Sequence, residues 1–161
     1  MSRSSPSAAP LRLAPAPRPF VDRPAVEALP LALLVQRLAI ASFLAVWTSL
    51  KFLRPEWMAN VYGWLPVDFQ ALDIAFWAGV AQAILVTLFA LGLFRTPVYA
   101  AVTLMHATGV VTAAAAGRLW NWSEYPNNLL WTSVATLGAL VALFLLRRAD
   151  RYTLDGLLRG R

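Results

Sequence analysis

Four long apolar runs constrain this chain more than anything else in it. They cover about residues 31–50, 72–94, 98–117 and 128–146, and charged residues fall almost entirely between them or at the chain ends. At a rise of ~1.5 Å per residue, about twenty residues in helix make ~30 Å, the thickness of a bilayer's hydrocarbon core. In hydrocarbon every backbone N–H and C=O needs an internal partner, so runs of this length fold as helices. The chain is expected to be all-α, an integral membrane four-helix bundle. Composition agrees: 59% of the 161 residues are hydrophobic and 14% are charged, against about 25% charged in a soluble domain.

The rest of the chain is organised around these runs. Residues 1–29 are rich in Pro, Ala, Ser and Arg, and their prolines oppose helix formation. They read as a disordered cytoplasmic tail with no apolar core of a signal peptide. Residues 30–148 form the membrane domain, with Pro30 in the first helical turn. Two loops, 51–70 and 118–127, are aromatic and are expected to lie in the membrane interface. Arg95, Thr96 and Pro97 make a tight turn between the second and third spans. Residues 149–161 read as a polar cytoplasmic tail with an amphipathic turn at Leu154–Leu158.

Basic residues set the expected orientation. The N-terminal tail (Arg3, Arg12, Arg18, Arg23), Arg95 and the C-terminal tail (Arg147, Arg148, Arg151, Arg159, Arg161) together hold ten. The opposite side has three: Lys51, Arg54 and Arg118. This asymmetry places both termini in the cytoplasm. Tryptophans gather toward the other side, where indoles favour the head-group boundary. The reading is a multi-pass protein of the bacterial inner membrane. Its basic residues flank apolar helices, so they point to lipid head groups rather than nucleic acid.

Several polar residues fall at membrane depth, where ionisable groups are expensive and invite a functional reading. Arg37 lies about two turns into the first span. It is expected either to snorkel to the head groups or to bind a ligand. Thr48 and Lys51 follow it by 11 and 14 residues, which at ~100° per residue puts all three within about 40° of one face. Gln82 and His106 sit near the middle of the second and third spans. These helices must be antiparallel neighbours, so the two side chains are expected to come within hydrogen-bonding reach. They could satisfy each other, or form a polar site for a quinone-like head group or a proton. Arg37, Gln82, His106 and Lys51 are therefore the candidate ligand-binding residues.

Other chemistries find little support. The chain has no cysteine, which excludes disulfides, thiolate metal sites and thiol redox chemistry. A lone histidine is too little for a metal site, and haem in a helical bundle more often takes two. No nucleophile–base pair, phosphate-binding loop or pair of acids appears. No catalytic residue and no cofactor is expected.

Scattered short motifs over residues 30–158 resemble a known family. Gln36-Arg37-Leu38 and Leu50-Lys51-Phe52 bracket the first span, Leu91-Gly92-Leu93-Phe94-Arg95-Thr96 closes the second, and Tyr152-Thr153-Leu154-Asp155 lies near the end. In this order and spacing they resemble the DoxX-like, MauE-related family of small four-helix bacterial membrane proteins. A glutamate is common there in the middle of the second span, where this chain has Gln82. The resemblance implies a setting in membrane-bound redox systems. The expected function is a non-catalytic membrane subunit or accessory protein of a bacterial oxidoreductase or electron-transfer system. Its partners would be membrane lipids and a larger membrane complex or further copies of itself. The alternative is a bundle that binds or transports a quinone- or lipid-like small molecule, with Arg37, Gln82 and His106 lining its cavity.

Overall fold

A computed structural model describes residues 23–56, 72–125, 127–158 and 160. All regular structure among them is helical: α1 (Arg23–Leu53), α2 (Leu72–Leu91), α3 (Arg95–Ala115), a 3-10 turn (Asn127–Leu129), α4 (Leu130–Leu145) and a short α5 (Leu154–Leu158). Four segments are long and apolar enough to cross a membrane: Val26–Leu53, Ile74–Leu91, Arg95–Ala115 and Asn127–Leu145. Within their most apolar stretches only 28, 22, 22 and 11% of residues are buried. The greasy surface thus faces outward, as a multi-pass membrane bundle requires and a soluble one could not tolerate.

The helices run up, down, up and down. α1 packs on α2 and α4, and α3 packs on the same two. One end, the turn end, carries the start of α1, the tight connection between α2 and α3, and the C-terminal residues. The loop end carries the end of α1, the start of α2 and the connection from α3 to α4. Packing differs between them. The apolar core lies toward the turn end, built from Leu33, Ile40, Phe89, Val98, Val102 and Leu143. Phe89 and Tyr99 meet edge-on there, with ring centroids 5.0 Å apart, a favourable aromatic arrangement.

α1 begins at Arg23, not at Leu31, so residues 23–29 belong to a helix rather than to a tail. Pro24 falls in its first turn, where a missing N–H costs nothing. Pro30 lies inside but removes only one bond near the helix start. The expected tail over 1–22 and the aromatic loop over 57–71 lie outside the described residues. The inward face of α1 repeats at helical spacing through Leu33, Arg37, Ile40, Leu44, Thr48 and Lys51, all buried. The shared face of Arg37, Thr48 and Lys51 is therefore the face turned to the other helices.

The largest departure concerns the C-terminal residues. Read as a polar tail, they instead fold back against the turn end, and Asp150, Thr153 and Asp155 are buried. α5 forms where the amphipathic turn was expected. Asp155 accepts from the N–H groups of Phe94 (3.1 Å) and Arg95 (3.0 Å). It so serves two donors that the start of α3 leaves without helical partners. Phe94 adopts the left-handed conformation, φ 49°, which costs a non-glycine residue ~1–2 kcal/mol. The turn also needs Gly92, at φ 67°. A Cβ there would stand 2.7 Å from Thr153 Cβ and 3.2 Å from an Arg37 nitrogen.

Candidate functional site

The four candidate residues separate into two places, and Arg37 stands alone. At the turn end its guanidinium reaches α2, α3 and the C-terminal segment. Nε donates to Ala90 O of α2 at 3.2 Å, and Nη1 donates to the Tyr99 hydroxyl of α3 at 3.1 Å. Nη1 also pairs with Asp150 Oδ2, and Nη2 donates to Tyr152 O. Tyr99 in turn donates to Asp150 Oδ2 at 2.7 Å. Arg37 is 2% exposed and Asp150 0%, so Arg37 does not snorkel to the surface but is held inside the bundle. A planar fork with five donors suits this role, which a lysine's point charge does not. One helix residue earlier, Gln36 donates to Ala139 O of α4 at 2.7 Å. The cluster is a polar lock on the bundle's turn end.

Neither Asp150 nor Tyr99 was singled out from the sequence. Asp150 looked like one more charge in an Arg-rich tail, and Tyr99 like one more aromatic residue near a helix end. The available signal was Arg37 itself: a buried arginine needs a carboxylate, and Asp150 and Asp155 are the acids nearest the end of the fourth apolar run.

Toward the loop end the helices part around a cavity of about 390 Å³, within the ~300–1,000 Å³ typical of small-molecule sites. Lys51, Gln82 and His106 all line it, with Phe43, Leu44 and Trp47 from α1 and Leu85 from α2. α3 contributes Met105, Gly109 and Ala113, and Leu130 and Ser133 come from the fourth helical segment. Three of the four expected ligand residues thus share one chamber of mostly apolar wall with a few polar groups. That is the usual balance of a site for an amphipathic molecule.

The hydrogen bonding inside it differs from expectation in one respect. His106 Nε2 lies 2.9 Å from Ser133 O, so its bond crosses to α4, not to Gln82 on α2. Proximity of α2 and α3 suggested the pairing, but His106 projects toward the other neighbour of its helix, beside Phe43 (ring centroids 6.3 Å apart). Because a carbonyl only accepts, Nε2 carries the proton, and in the neutral ring Nδ1 is then an acceptor. Gln82 adds an amide with two donors and a carbonyl. Lys51 marks the loop end of the chamber, its Nζ 3.5 Å from Trp47 O.

At the same end Leu119 is buried while Trp120, Trp122 and Tyr125 are largely exposed. Trp131 Nε1 donates to Leu119 O (3.2 Å) and Asn127 Nδ2 to Asn121 O (3.2 Å), which fixes this connection against α4. Among the described residues no three His, Asp or Glu side chains gather in a way that could hold a metal ion. No family model, curated protein or solved structure matches this chain.

Proposed function

We propose that this protein is a membrane bundle that binds a small quinone- or lipid-like amphiphile in the cavity between its four helices. The carrying observation is the chamber itself, an apolar enclosure in which Gln82, His106 and Lys51 converge while the turn end is locked. A bundle built only for stability would close both halves. Voids in a packed interior forfeit contacts on one side of every lining atom. A cavity of this size persists at that cost, and an apolar occupant restores the contacts. The residues present bind and orient; no group among them is placed to do covalent chemistry.

A second reading sets this bundle in an assembly, as a non-catalytic accessory subunit of an electron-transfer system in the bacterial inner membrane, with both termini cytoplasmic. The exposed Trp120, Trp122 and Tyr125 beside the cavity favour it, because clustered exposed aromatics suit a protein interface. The DoxX-like reading belongs here too. Of the four fragments that carry the resemblance, Gln36-Arg37-Leu38, Leu91–Thr96 and Tyr152–Asp155 come together at the turn end, while Leu50-Lys51-Phe52 lies at the loop end.

Extraction in mild detergent followed by mass spectrometry of the whole preparation tests both readings. An apolar small molecule recovered in near-stoichiometric amount is the expected result. A larger protein recovered in fixed ratio without such a molecule would favour the accessory subunit. Recovery of neither would contradict both.

A further inference from the structure

The cavity has a recognisable mouth. Among the described residues that line it, only Ala81 and Thr108 are also exposed on the outer surface. They belong to neighbouring helices, α2 and α3. Ala81 belongs to the outward stripe of α2 with Trp77 and Ile84, and Thr108 to that of α3 with Leu104 and Val111. Those large neighbours are 58% exposed or more. Ala81 lies ten residues from the turn end of α2 and Thr108 thirteen from the turn end of α3. At ~1.5 Å per residue that is ~15–20 Å along each helix, near mid-depth of the hydrocarbon layer. The opening therefore faces the lipid interior rather than water.

Its rim is small and uncharged. Thr108 spends its hydroxyl on Leu104 O at 2.9 Å, so it presents a methyl group. Just behind the rim, a Cβ on Gly109 would meet nothing within 4 Å. Resting on the cavity reading above, we infer that the ligand enters sideways, out of the bilayer and between α2 and α3. Such a ligand is an amphiphile with a compact, uncharged, hydrogen-bonding head and an apolar body. A charged head would have to cross the middle of the hydrocarbon layer to reach this mouth, at a cost of several kcal/mol. An uncharged carbonyl or hydroxyl crosses with less penalty and then finds the Gln82 amide and the His106 ring inside.

The test uses the full chain in lipid nanodiscs with a decyl-substituted benzoquinone as probe, its binding followed by stopped-flow quenching of tryptophan fluorescence. Thr108→Phe and Ala81→Phe place bulk at the rim, on exposed positions where the fold tolerates it. Both should slow association and dissociation together, by about tenfold, as obstruction of a gate does. Gly109→Leu fills the chamber itself and should weaken equilibrium binding by at least about tenfold. Decyl phosphate, with the same tail and a charged head, should fail to compete.

Unchanged rates in both rim variants, with Gly109→Leu still weakening binding, would overturn lateral entry and leave the cavity in place. Effective competition by decyl phosphate would overturn the uncharged head. Binding unaffected by Gly109→Leu would remove the cavity reading and the portal with it.

Discussion

Arg37 decides how the turn end is held, and its energetics follow from burial. Two charges removed from water cost several kcal/mol each, and their attraction repays this only when the remaining hydrogen-bonding capacity is filled. Arg37 is well supplied, but Asp150 Oδ1 is buried without a partner among the described residues. Breaking the pair should therefore hurt far more than replacing it. Asp150→Ala, which strands a buried guanidinium, should destabilise the bundle by about 3–5 kcal/mol, whereas Arg37→Met with Asp150→Leu should recover most of that loss. Arg37→Lys should behave like a broken pair, since one ammonium cannot reach Ala90 O, Tyr99, Asp150 and Tyr152 O together. Unfolding in mixed micelles checks all three, and Arg37→Lys at full stability would refute the lock. Part of this was legible in the sequence: the shared face of Arg37, Thr48 and Lys51 follows from helical periodicity, and the depth of Arg37 from the length of the apolar run around it. The partner was not, because Asp150 is 113 residues away. Nothing local distinguishes an acid that folds into a bundle from one that stays in water.

Among the elements, the C-terminal segment is the one whose role changed most between sequence and structure. Polar, Arg-rich composition argues for a solvated tail. Tertiary bonds override it, because α3 starts with open N–H groups and α1 carries an arginine in need of an acid. The segment supplies both carboxylates. Asp155→Ala should cost about 1 kcal/mol, the usual worth of a helix N-terminal cap. Deleting residues 150–161 removes Asp150 as well and should cost substantially more, leaving a bundle that aggregates on extraction. Deleting residues 1–22 should leave thermal stability in detergent within about 0.5 kcal/mol of the full chain, as for a surface segment with little apolar content to bury. Size-exclusion profiles and melting curves of the two truncations make the comparison. Equal tolerance of both would show that the docked segment contributes nothing. The midplane residues teach a similar lesson. Gln82 and His106 line one chamber, but matched depth says nothing about rotation, and His106 turns toward Ser133.

For the molecule as a whole, the two ends of the bundle divide the work. A tied turn end lets the loop end stay open around a ligand without the helices drifting apart. The hydrophobic effect does not drive helices together in lipid, where the tails are as greasy as leucine, so close packing and interhelical hydrogen bonds such as those of the turn end must do so. The proposed orientation puts the locked end on the cytoplasmic side, on the strength of ten Lys/Arg residues against three. Reporter fusions after Arg161 and within residues 118–127 should report a cytoplasmic C-terminus and an exported loop. The reverse pattern would invert the bundle without disturbing the cavity. The central claim is that the cavity holds an apolar small molecule, and two glycines test it as a matched pair. A side chain added at Gly109 enters the cavity, and one added at Gly138, on α4 away from it, also meets nothing within 4 Å. Native mass spectrometry of protein released from nanodiscs should show one small-molecule adduct on the wild type and on Gly138→Leu, and its loss from Gly109→Leu. Equal adducts on all three proteins, or none on the wild type, would contradict the account.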